Sequence, residues 1–194
     1  MASSYSSDLS LELITTGEKA GLWGTITNTN LQILQQAASG YVAVPMTSGS
    51  DVTLSLADGS DTANGKNLYL KLTGTMTASI SLIIPTATSG GTATRTYIIE
   101  DTTDRTTANN YTINIKTAGS STPVPLPEGA NIIVRSDGTD TVLAFIKPGI
   151  KNITAATITA YTAVNGDQVV VDTQANPVTI TLPITPNVTD EVTI

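Results

Sequence analysis

The chain contains no cysteine and no histidine. Without cysteine there is no disulfide framework, no thiolate nucleophile and no thiolate zinc site. Without histidine there is no Ser-His-Asp triad, no paired-histidine metal helix, and no side chain that ordinarily titrates near neutrality. Charge is scarce too. Only 13% of the 194 residues are charged, and 9 Lys and Arg stand against 16 Asp and Glu, a net charge of −7. No basic stripe is present to release counterions from a phosphate backbone, which argues against a nucleic-acid partner. Aromatics make up 4% of the chain, too few for a cleft that stacks sugar rings. No apolar run approaches the ~18 residues of a membrane span. The opening Met1-Ala2-Ser3-Ser4-Tyr5 lacks the basic and apolar regions of a secretory signal. The reading is a non-enzyme with no cofactor, no metal, no nucleic acid and no membrane.

What is abundant points elsewhere. About a fifth of the residues are Thr, with Val, Ile, Gly, Asn and Asp prominent, a mix suited to pleated strands and tight turns. The mean hydropathy of +0.11 argues against disorder. The expected fold is mainly β. An N-terminal strand-plus-helix arm (1–40) leads into an antiparallel, jelly-roll-like β-sandwich (41–148). The start of a second β module (149–194) follows and is expected to be cut short.

In the arm, Asp8 to Ile14 alternates, with Leu9, Leu11 and Leu13 on one side, the periodicity of a strand. Asn28 to Gly40 reads as the one helix. Asn28 or Thr29 would cap it, Leu31, Leu34 and Ala38 share a face, and Gly40 sits where a left-handed terminal residue belongs. Trp23, the only Trp, suits either an anchor in a partner's pocket or a lid over its own core beside Leu31 and Leu34. So short an amphipathic helix gives the lid its weight.

From Tyr41, strands are expected near 41–45, 51–57, 67–73, 78–84, 95–100, 110–116, 130–135 and 140–147. Asp58-Gly59, Asn64-Gly65 and Asp137-Gly138 mark turns, and Pro123, Pro125 and Pro127 mark an edge or connection. Lys147-Pro148-Gly149 closes the unit, and Ile153–Tyr161, Gln168–Val171 and Val178–Leu182 begin another. Asn64-Gly65 and Asn165-Gly166 each precede two apolar runs of similar design. Either one plan is repeated or Thr-rich hairpins converge on it. Asp190 to Ile194 looks like a strand just starting.

Two chemical ideas are weighed. Asp58 with Asp61, or Asp137 with Asp140, offers oxygen ligands for Ca²⁺, but each Asp-Gly-x-Asp is explained by a turn. Glu100, Asp101 and Asp104 offer a carboxylate pair for glycoside hydrolysis, but no aromatic cleft accompanies them, and they read as a solvated loop. Tyr41, Tyr69, Tyr97, Tyr111 and Tyr161 read as core or cross-strand residues, and Gly90-Gly91 as a plain loop.

One resemblance is carried by particular residues. Leu9-Ser10-Leu11-Glu12-Leu13-Ile14, Thr16-Gly17-Glu18, Gly21, Trp23-Gly24, Thr27-Asn28 and Asn30-Leu31 resemble the opening of tail-fibre-like virion proteins of tailed bacteriophages, especially marine phages of cyanobacteria. Ile83-Ile84-Pro85, Tyr97-Ile98-Ile99, Tyr111 to Thr117, Val124 to Gly129 and Ser136 to Thr139 are similar too, so the likeness spans roughly residues 8–147. Glu100-Asp101 departs from the pattern, in place of an Asn after Tyr-Ile-Ile, at an expected turn. The resemblance implies a homo-oligomeric, trimeric fibre protein in the virion tail. Its N-terminal part would dock on other tail or baseplate adaptor proteins through Trp23, Leu31, Leu34, Leu9, Leu11 and Leu13. A host receptor would be met through a distal part beyond residue 194. A capsid decoration or cement protein, a polysaccharide-degrading tailspike and a bacterial adhesion module are the alternatives.

Overall fold

The computed structural model describes residues 3–47, 49–105, 111–120, 122–147, 150–154, 160–163, 167–182 and 192–194. Two short strands, β1 (Ser4–Tyr5) and β2 (Glu12–Leu13), pair antiparallel ahead of helix α1 (Trp23–Ser39). The expected strand over Asp8–Ile14 shrinks to Glu12-Leu13. Ser10 takes a left-handed φ of 51° and buries its own side chain, while Leu13 is exposed, so the leucine alternation does not mark a core face. The helix starts at Trp23, one and a half turns earlier than its caps suggested. Leu22 precedes it without a side-chain cap bond. Gly40 is extended, at φ −67° and ψ 143°, so close packing selects it. A Cβ there would lie 2.5 Å from both the Gln36 carbonyl oxygen and Asn67 Oδ1.

Beyond the helix the chain alternates between two sheets. β3 (Tyr41–Pro45), β5 (Tyr69–Met76) and β9 (Arg95–Arg105) lie side by side in one sheet; β4 (Val52–Thr53), β6 (Ile80–Ile84) and β10 (Ile113–Thr117) lie in the other. A small hairpin, β7 (Ala87–Thr88) with β8 (Gly91–Thr92), interrupts the third passage. All neighbours within each trio are parallel. Tyr41 stands opposite Tyr69, and Tyr69 opposite Ile98; Val52 stands opposite Leu82, and Ile80 opposite Ile113. The chain therefore winds through both sheets in stacked coils of roughly 30 residues, a solenoid-like period. This corrects the antiparallel jelly roll. Alternating apolar residues specify which face is buried, but they are silent on strand direction, which the crossings between sheets decide.

Antiparallel strands finish the unit. β11 (Val124–Leu126) pairs with β10 as the edge of its sheet, as the prolines anticipated, and β12 (Asn131–Ser136) pairs with β9 and with β13 (Thr141–Lys147). One core lies between the sheets, with Leu70, Leu72, Leu82, Ile99, Ile113 and Ile115 all fully buried. β9 alternates buried residues with exposed or half-buried ones along its whole length. It runs straight through Glu100-Asp101, where a turn and a solvated loop were expected.

The second unit repeats the plan. β14 (Ile150–Thr154) pairs parallel with β16 (Gln168–Asp172), and β15 (Ala160–Thr162) parallel with β17 (Thr179–Thr181). Gln168 also stands in a parallel bridge opposite Thr193. The two apolar runs of the internal echo, β5–β6 and β16–β17, occupy equivalent places in the two windings. Asn165-Gly166 and Pro148-Gly149 lie outside the described residues. Tyr161, Ala163 and Val169 form a small core of their own.

Candidate docking face

Helix α1 has one face on the protein and one on solvent. Ile33 is fully buried, and the Gln36 carbonyl accepts the backbone N–H groups of Gly40 (2.8 Å) and Leu68 (3.1 Å). On the other side Trp23 is 65% exposed, Leu31 57% and Leu34 44%. The lid reading of Trp23 is therefore overturned within this chain. The helix meets the protein on its Ile33 side, and the Trp23 side chain stands largely in solvent. Just beyond the helix, Tyr41 is also exposed and stacks on its parallel neighbour Tyr69 at 5.7 Å between ring centroids.

The segment before the helix is bonded to the sandwich. Thr88 Oγ1 donates to the Ser7 carbonyl (2.6 Å), the Thr94 amide and hydroxyl donate to Asp8 Oδ1 (2.8 and 3.1 Å), and the Gly59 N–H donates to the Ser10 carbonyl (2.8 Å). Gly90 lets the β7–β8 turn approach: a Cβ there would lie 2.3 Å from the Tyr5 carbonyl oxygen. Leu9 and Leu11 are half-buried, Leu9 in a shallow cavity beside Ala37, Leu68 and Arg95. Of the six expected docking residues, Trp23, Leu31, Leu34 and Leu13 are thus open to a partner, and Leu9 and Leu11 are largely engaged at home. Lys19 Nζ lies 2.7 Å from Glu12 Oε1 and donates to Ser3 Oγ at 2.8 Å. The Lys19 and Ser3 hydrogen bonds hold the Glu12 carboxyl below its usual range, and the bond to Glu12 raises Lys19.

Beneath this segment sits a polar cluster that composition did not reveal. Lys66 is fully buried, and its Nζ donates to the Ala57 carbonyl at 2.7 Å. Burial pushes its pKa down to about 8, against the pull of Asp58, with Arg95 pushing the same way as burial. Arg95 Nη2 donates to the Lys66 carbonyl (2.8 Å) and its guanidinium lies 5.6 Å from the centre of the Tyr97 ring. The Ser89 hydroxyl bonds to Asp58 and is the main cause of that carboxyl's lowered pKa.

Several of the carboxylates weighed for chemistry have local partners. Asp137 Oδ1 accepts the amides of Thr139 (2.9 Å) and Asp140 (2.8 Å), which makes Asp137-Gly138-Thr139-Asp140 a closed turn. Asp101 is buried within β9, its Oδ2 2.5 Å from Arg105 Nη2, and Glu100 Oε2 accepts the Tyr69 hydroxyl at 2.9 Å. Among the described residues no three Asp or Glu converge as a metal site, and no helix is long and apolar enough to cross a membrane. Set against known proteins, the chain matches no family model, no curated sequence and no solved structure.

Proposed function

We propose that this chain is a structural protein of a phage virion, the N-terminal part of a tail fibre, linking the tail to distal host-recognition modules. It assembles as a homotrimer, docks on tail or baseplate adaptor proteins, and performs no catalysis. The observation that carries the reading is the arm's exposed apolar face. Trp23 at 65% exposure and Leu31 at 57% are costly to leave in water unless a partner covers them. The stacked coils of both β units support it, because parallel winding adds strands in one direction, as a shaft requires.

Labelling intact phage particles with an antibody to the chain tests the reading. The label is expected on the tail. Label on the capsid surface replaces the reading with a decoration protein, and absence from purified particles ends both. A second arm follows incorporation of Trp23→Ala into particles, which is expected to fall at least tenfold while the purified variant keeps its melting temperature.

A further inference from the structure

The β1–β2 hairpin is held at its base and at its tip by different partners. At the base, Asn30 of α1 bonds to both backbone groups of Glu12, and Lys19 Nζ reaches Glu12 Oε1 and Ser3 Oγ. At the tip, residues 6–11 are bonded to one another. The Ser6 N–H donates to the Leu11 carbonyl (3.0 Å), the Ser10 N–H to the Ser6 carbonyl (3.1 Å), and the Leu11 N–H to Ser6 Oγ (3.0 Å). The tip is therefore a unit with a shape of its own. Hydrogen bonds from Gly59, Thr88 and Thr94 join it to the sandwich. Apolar burial adds little: among residues 3–22 only Ser10 is buried, and Leu9 and Leu11 are half-buried.

The junction beneath the tip is also strained and poorly matched. Among the described residues only Ser10 and Lys19 are left-handed without being glycine, Ser10 at φ 51°. The Ser10 hydroxyl is buried with no hydrogen-bond partner. So are Oδ1 of Asp58, next to the Gly59 amide that bonds to the Ser10 carbonyl, and Nη1 of Arg95, which lines the shallow cavity with Asp8 and Leu9. A contact with stored backbone strain, unmatched polar atoms and little apolar burial belongs to the low-stability end of a fold. We infer that residues 6–11 form a hinged flap that lifts off the sandwich as one piece, pivoting at the Asn30–Glu12 pair while both sheets stay folded. Lifting gives water to Ser10, Asp58 and Arg95, and carries Leu9 away from Ala37 and Leu68. On the docking reading, Leu9 and Leu11 are the two residues that the closed arm withholds from the tail. The flap itself is a property of the single chain and is tested apart from that reading.

Native-state amide hydrogen exchange on the full chain is the test. The Gly59 and Thr94 amides, which donate to Ser10 and Asp8, are expected to share one protection factor. It should lie at least 100-fold below that of Ile98, whose N–H donates to the Leu68 carbonyl between β5 and β9. Protection equal to that of Ile98 overturns the flap, because the tip would then leave only when the sandwich unfolds. Asp8→Ala removes both bonds from Thr94 and touches no bond of Gly59. It is expected to speed Gly59 exchange at least tenfold, and an unchanged Gly59 rate overturns movement as one piece. Ser10→Gly separates strain from anchoring, since glycine takes a left-handed φ at no steric cost. It is expected to slow exchange at Gly59 and Thr94 at least threefold. Faster exchange would make Ser10 an anchor of the closed form and overturn the strained flap.

Discussion

The side-chain amide of Asn30 pairs with both backbone groups of Glu12, its Oδ1 accepting the N–H at 3.0 Å and its Nδ2 donating to the carbonyl at 2.9 Å. One side chain on the helix thus acts as a strand partner for β2 and ties the β1–β2 hairpin to α1. Asn30→Ala leaves both Glu12 groups to water and should cost about 1–2 kcal/mol. Urea unfolding followed by circular dichroism checks this, and a loss under about 0.3 kcal/mol would mean that the hairpin is held by other bonds.

The buried carboxylate of Asp101 is satisfied on both oxygens. Oδ1 accepts the Thr103 amide (3.0 Å) and hydroxyl (2.7 Å), and Oδ2 accepts Arg105 Nη2 and the Gly129 amide (3.1 Å). Arg105→Met strands this charge in the interior and is expected to cost about 3–5 kcal/mol. Arg105→Met combined with Asp101→Asn should recover part of that loss in the same denaturation assay. A double variant no better than the single one would show that Arg105 serves mainly the Leu126 carbonyl, its other partner at 2.9 Å.

Lys66 makes stability depend on alkaline pH with a definite sign. Its folded pKa, about 8, lies below the ordinary 10.5, so between those values the unfolded chain holds a proton that the folded chain has released. Stability from this group therefore rises with pH across that window and is lowest below pH 8, where the buried amine is charged. The stability of Lys66→Met relative to wild type should fall by about 2 kcal/mol between pH 7 and 9.5. Melting both proteins across that range is the measurement; a pH-independent difference would place the amine in contact with solvent.

Gly40 and Gly24 form a matched pair. A Cβ on Gly40 meets the helix backbone and Asn67 at 2.5 Å, whereas one on Gly24 meets nothing within 4 Å. Gly40→Ala is expected to destabilise by about 2–3 kcal/mol through forced repacking. Gly24→Ala should stabilise by about 0.5 kcal/mol through lost freedom in the unfolded chain. Thermal melts that shift both variants in the same direction would contradict this account of how α1 joins β3.

Several features were legible in the residues alone because they depend on neighbours in sequence. The dominance of strands, a single helix with Leu31 and Leu34 on one face, the Asp137-Gly138 turn and the proline-marked edge at Val124–Leu126 all follow from local stereochemistry. Direction and partnership were not legible. Period-two alternation is the same for parallel and antiparallel strands, so only the crossings between sheets made Tyr41 the parallel neighbour of Tyr69. Ser10 is interior and Leu13 exterior, and the left-handed backbone at Ser10 itself breaks the alternation that the leucines suggested. The charged stretch from Glu100 to Arg105 read as loop because isolated charges avoid interiors. The fold keeps it in β9 by placing Arg105 and the Gly129 amide on the Asp101 carboxylate. Lys66 is the clearest case: nothing local distinguishes it from a surface lysine, and only the tertiary fold buries its amine and brings the Ala57 carbonyl to it at 2.7 Å.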